Sequence, residues 1–151
     1  MKLSEVLNLD LIKVPLAAKD KYAAIEELVD LLRQNGKITE KTDLLQAVLN
    51  REATRSTGIG QGLAVPHGKC RSLSCLVMAV GKPAVPMDFE SVDNQPVNLI
   101  VLLGSNLDQT GPHIQALARI SRFMMMPSFQ KQIERAKTPD QIYQAFLKHE
   151  Q

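Results

Sequence analysis

The sequence predicts an α/β fold in a single domain spanning residues 1–151, and three observations carry that prediction. Residues 75–80 and 97–103 are short apolar runs of Val, Leu, Ile, Ala and Met, bounded by Gly or Pro, which suits central strands covered on both faces. Several other segments repeat apolar residues at the spacing of one helix face. No internal repeat, low-complexity tract or long linker divides the chain.

Residues 20–34 place Tyr22, Ile25, Leu28, Val29 and Leu32 on one predicted helix face, and Asn35-Gly36 follows where a left-handed C-terminal cap belongs. Thr39 is the expected cap of a second helix with Leu44, Leu45, Val48 and Leu49 inward, running out near Arg51-Glu52. Leu63-Ala64-Val65 reads as a short strand delivering a Pro66-His67 turn. Gly111-Pro112 opens a third helix, with Pro112 in its first turn and an expected apolar face of Ile114, Leu117, Ala118, Ser121 and Met124 or Met125. The Met124-Met125-Met126 run reads as core filling and helix-end packing. A short helix over residues 129–136 follows Pro127. Thr138-Pro139-Asp140 supplies cap, first-turn proline and first-turn acid for a last helix carrying Ile142, Ala145 and Phe146.

Composition narrows the function classes. A chain of 151 residues buries roughly two thirds of its unfolded surface, enough for a full core, and that core must be aliphatic because Trp is absent. A net charge of +2 with no clustered Lys or Arg argues against nucleic acid. The N-terminal residues lack the apolar stretch of a signal peptide, and no run approaches membrane-spanning length, so a cytoplasmic protein without membrane insertion is expected. Cys70 and Cys75 read as buried thiols of a reducing compartment; no metal and no cofactor is expected.

The chemistry concentrates at Ser56-Thr57-Gly58-Ile59-Gly60-Gln61-Gly62-Leu63-Ala64-Val65-Pro66-His67-Gly68. Proline fixes the backbone before the imidazole of His67, and Gly68 removes the side chain that would crowd an incoming group. An imidazole presented in this way can act as an uncharged nucleophile at neutral pH. Gly60, Gly62 and Gly68 allow backbone N–H groups to approach phosphate oxygens. His113, behind Pro112, is placed in the first turn of a helix, where an unpaired N–H and the helix dipole favour anions and a neutral ring. Arg51 offers a planar fork for a phosphoryl group, and Arg55 competes for that part. Lys69 is a lesser candidate, and His149 lies far from this chemistry.

These residues resemble the type-2 IIA domains of the bacterial phosphotransferase system, the mannitol, fructose and nitrogen-regulatory class. The match runs through Arg51-Glu52, Ser56-Thr57-Gly58-Ile59-Gly60 and Ala64-Val65-Pro66-His67-Gly68-Lys69. It resumes at Val85-Pro86-Met87-Asp88-Phe89, at Gln95-Pro96-Val97-Asn98-Leu99-Ile100 and at His113-Ile114-Gln115-Ala116-Leu117-Ala118-Arg119. The loop from Gly104 to Thr110 departs from the family's more common Pro-Glu version. The resemblance implies a mixed sheet sandwiched between helices. It also implies phosphorylation of His67 by a small histidine phosphocarrier protein (HPr/NPr-like), with His113 as second active-site histidine and Arg51 as phosphate ligand. It makes the chain a phosphotransferase component and phosphoprotein rather than a free-standing enzyme. The nitrogen-regulatory branch, acting on protein targets by phosphorylation state, is favoured because no fused permease or IIB segment follows. A sugar-specific IIA component that passes its phosphoryl group to a IIB domain is the alternative. A zinc hydrolase built on His67 and His113 fails for want of further ligands. A binding module without phosphorylation is the remaining reading, and the modified ring nitrogen stays open.

Overall fold

The computed structural model describes residues 2–150. Its sheet runs β1 (Ile12–Leu16), β5 (Val77–Pro83), β6 (Leu99–Ser105), β3 (Leu63–Ala64) and β2 (Gly58–Gly60), with β4 (His67–Lys69) also paired to β6. Strands β1 and β5 are parallel, β5 and β6 antiparallel, and β3 and β4 both run parallel to β6, so the sheet is mixed. The two apolar runs are its centre, and every residue of β6 is buried. The observed strands start two residues later than the sequence pattern places them. Strand β1 is absent from that pattern, because Lys13 and Pro15 interrupt the apolar run.

Among the described residues five α-helices accompany this sheet: α1 (Lys21–Gln34), α2 (Lys41–Thr54), α3 (Thr110–Met124), α4 (Pro127–Arg135) and α5 (Pro139–His149). Two boundaries follow the capping chemistry of the sequence. Gly36 ends α1 with φ +71°, and the Thr138 side chain accepts from Gln141 N at the start of α5. Three expectations need correction. Tyr22 is half exposed, because α1 turns Lys21, Ala24, Ile25 and Leu28 inward instead. Glu40 caps α2 in place of Thr39, its carboxylate accepting from Thr42 N. The buried stripe of α3 is His113, Ala116, Ile120, Phe123 and Met124, one position away from the predicted face, so Ile114 lies in solvent. The predicted apolar face left out His113, which heads the buried stripe.

Alternation along the strands puts the helices on opposite faces. A Cβ on Gly104 would meet Leu44 of α2, whereas the next residue, Ser105, bonds His113 of α3. Strand β4 repeats the arrangement beside it. A Cβ on Gly68 would stand 2.9 Å from Val48 N and 3.0 Å from the Ala47 Cβ, so this face must stay bare for α2 to pack. His67, one residue earlier, therefore faces the α3 side.

Among the cysteines, Cys70 is buried as expected but Cys75 is exposed. Within the 124–126 run, Met124 is buried and Met125 lies in solvent, so core filling holds only in part. Phe123, Phe129 and Phe146 pack together with ring centroids 5.3–6.1 Å apart and join α3, α4 and α5. The His149 ring stands edge-on to Phe129, and its nitrogens reach Ala145 O and Ser128 Oγ. His149 therefore ties α5 to α4, remote from His67.

Candidate functional site

His67 opens β4 in register with Leu103 of β6. The Leu63–Leu99 and Ala64–Ile100 pairs share that register, so β3 and β4 are one strand interrupted at Val65-Pro66. Pro66 has no N–H for the ladder, while its carbonyl still accepts from Leu103 N. His67 is thus held at a break within a strand, rather than on the turn the sequence suggested. The break leaves the Val65 carbonyl free to meet the His67 ring, with Nδ1 2.7 Å from Val65 O. A carbonyl can only accept, so Nδ1 carries the proton and Nε2 keeps its lone pair. Burial holds the His67 pKa below the ordinary imidazole value. The Arg51 charge adds to that effect, and the Val65 hydrogen bond opposes it. The ring is a neutral base at physiological pH.

His113 lies behind it, 3% exposed, with the two ring centroids 5.4 Å apart and the planes at 64°. Its backbone N–H donates to Gln109 O, so it is paired, contrary to the first-turn expectation. What His113 contributes is its side chain, whose Nδ1 is 2.7 Å from Ser105 Oγ. Burial, reinforced by the His67 and Lys69 charges, pushes its pKa down to about 4. Lys69 donates from Nζ to Thr110 Oγ1, tying β4 to the start of α3.

Because the unfolded chain protonates His113 near the ordinary pKa and the fold resists protonation until about pH 4, the unfolded state binds more protons in between. Stability is therefore complete above that interval and falls with acidification across it, by about 3 kcal/mol from this one group. Denaturant titrations of wild type and His113→Gln between those pH values check this. The variant should lose distinctly less stability on acidification, and parallel losses would refute the assignment.

Beside His67 opens a cavity of about 310 Å³, lined among others by Arg51, Arg55, Thr57, Gly58, Leu117 and Ser121. Arg51 stands in the last turn of α2, where its positive charge complements the helix dipole. Its Nη1 donates to Arg55 O at 2.7 Å, which anchors the fork and leaves its other N–H donors for an anion. Both arginines reach the cavity. Gly62 and Gly68 do not line it: Gly68 lies beneath α2, and Gly62, with φ +79°, makes the tight turn between β2 and β3.

Sequence reasoning passed over Glu52 and Thr57 as working residues. The buried Glu52 carboxylate accepts from Thr57 N at 3.0 Å and from Thr57 Oγ1 at 2.5 Å, and pairs with the buried Lys21 ammonium at 3.3 Å. This clasp folds the segment after Arg51 back against its own helix and sets the cavity wall. Glu52→Ala leaves Lys21, among the described residues, only the exposed Glu90 as ion-pair partner, and removes the acceptor of two Thr57 donors. Equilibrium unfolding should show a loss of about 3–5 kcal/mol; a loss under about 1 kcal/mol would mean the clasp carries little.

Among the described residues no group of three or more His, Cys, Asp or Glu is arranged to hold a metal ion, and no helix is long and apolar enough to cross a membrane. A mixed sheet between helices thus carries one histidine at a strand break and a second behind it on the neighbouring helix. The family model for the phosphoenolpyruvate-dependent sugar phosphotransferase system, EIIA 2, matches residues 5–149, and the chain belongs to that family. It is 34% identical over 150 residues to the fructose-specific EIIABC component of Bacillus subtilis strain 168, covering 99% of this chain but only 24% of that protein's length. It is 29% identical to the nitrogen regulatory protein of Escherichia coli strain K12, over 95% of this chain and 88% of the other. The crystal structure of the nitrogen regulatory protein IIA-Ntr from Neisseria meningitidis superposes with a TM-score of 0.87 at 26% identity, covering 95% of this chain and 98% of that one.

Proposed function

We infer that this EIIA type-2 domain is a phosphoryl carrier that accepts its phosphoryl group on Nε2 of His67 from a histidine phosphocarrier protein. The observation that carries the reading is the Val65 carbonyl on Nδ1, which leaves Nε2 as the unprotonated nucleophile of a neutral ring. The Nε2 lone pair forms the new N–P bond as the donor's P–N bond breaks, and the departing donor imidazole keeps that electron pair. Charge on the transferring oxygens is met by Arg51 at the cavity mouth. His113 supports the acceptor from behind.

The nitrogen-regulatory reading, in which the phosphorylation state governs contacts with protein targets, is supported by the near full-length match to nitrogen regulatory proteins and by the likeness to the Neisseria structure. A second reading has its own support, the 34% identity to a fructose-specific component. In it, His67 hands the phosphoryl group to a IIB domain. The working compartment under either reading is the cytoplasm.

Incubation with phosphoenolpyruvate, enzyme I and a histidine phosphocarrier, followed by intact-mass measurement, tests the carrier function. One acid-labile, alkali-stable phosphoryl group is expected, and none would overturn the reading. Adding purified fructose-type IIB domain then separates the branches: loss of the label to IIB favours sugar transport, and retention favours regulation.

A further inference from the structure

We propose that Ser105 is a positioning residue that donates its hydroxyl hydrogen to Nδ1 of His113, fixing that ring as the Nε2–H tautomer so that it presents one donor to a phosphoryl group on His67. The proposal rests on the carrier reading above for the last step, but its first step is independent of it.

Ser105 ends β6, is fully buried, and points to the α3 side of the sheet. His113 Nδ1, at 2.7 Å, is the single hydrogen-bond partner of its Oγ among the described residues. Two proton arrangements fit that distance. If Nδ1–H donated to Oγ, the serine hydrogen would be left buried with no acceptor, a deficit the fold avoids. If Oγ–H donates to Nδ1, both atoms are satisfied, and the ring proton must sit on Nε2. The depressed pKa agrees, since a singly protonated ring is the form that this pairing requires.

The two histidines then hold opposite tautomers by different means. A carbonyl on Nδ1 makes His67 a base at Nε2, and a hydroxyl on Nδ1 makes His113 a donor at Nε2. With the rings 5.4 Å apart, a phosphoryl group on His67 comes within reach of that donor. The charged groups bearing on His113 are Lys69 of β4 and, when protonated, His67 of the same strand.

The experiment reads the tautomer first. In unphosphorylated protein labelled with 15N-histidine, two-bond nitrogen–proton correlations near neutral pH should show His113 as Nε2–H. Ser105→Ala, and Ser105→Cys of similar size but poor donor strength, should move it toward the Nδ1–H form. Ser105→Thr, which keeps the hydroxyl, should hold it. Phosphorylation rates measured on the same proteins should fall roughly 3- to 10-fold in the Ala and Cys variants and stay near wild type in Thr. An Nδ1–H wild-type ring, an unmoved tautomer in Ser105→Ala, or a moved tautomer with a wild-type rate would each overturn the proposal. Absence of phosphoryl uptake by the wild type would defeat the carrier reading and the positioning role together, with the tautomer measured separately.

Discussion

His67→Ala is expected to accept no phosphoryl group from the phosphocarrier, and the loss should be complete because neither of the other two histidines is free to replace its imidazole. His113 is 3% exposed and its Nδ1 is engaged by Ser105. His149 is held between Ser128 and Ala145 in the last helix. His67 is half-buried at the start of a short strand, so truncation should leave the helices and the central strands intact. Circular dichroism of the variant should match wild type while intact mass shows no added phosphoryl group. Labelling of the variant at the wild-type level would end the assignment.

Arg51→Ala should slow phosphoryl uptake by roughly 30- to 1000-fold, the rate equivalent of about 2–4 kcal/mol of lost transition-state stabilisation. The guanidinium is anchored on Arg55 O at the cavity mouth, and its charge bears on the His67 ring. Arg51→Lys keeps the charge but loses the fork, so it should recover only part of the rate. Arg55 also lines the cavity but is exposed, and Arg55→Ala should change the rate little. Rapid-quench labelling compares the three variants. A large loss with Arg55→Ala and none with Arg51→Ala would reverse the two arginines.

The fold was readable where local chemistry and burial point the same way. Thr138-Pro139-Asp140 starts α5 where cap, proline and acid demand, and the apolar runs of β5 and β6 form the sheet centre because both their faces are covered. Reading failed where tertiary contacts override composition. His113 is a polar residue buried by the partner it finds on β6, so an apolar face that left it out turned α3 by one position. Tyr22 gave up the inner face of α1 to Lys21, whose ammonium is buried only because Glu52 and Glu90 meet it. Gly68 reads as a phosphate cradle in sequence, which could not show that α2 also approaches too closely for any side chain there. The Pro-His-Gly turn brought His67 to notice and the family resemblance Arg51, but neither could reveal that the Val65 carbonyl occupies Nδ1 and leaves Nε2 its lone pair. That carbonyl reaches the ring only because Pro66 breaks the strand.

The most direct measurement is nitrogen-15 and phosphorus-31 NMR of the phosphorylated protein, with its histidines labelled. A single nitrogen–phosphorus coupling to Nε2 of His67, with its Nδ1 still protonated against Val65, is the predicted result. A phosphoryl group on Nδ1 of His67, or on either nitrogen of His113, would contradict it.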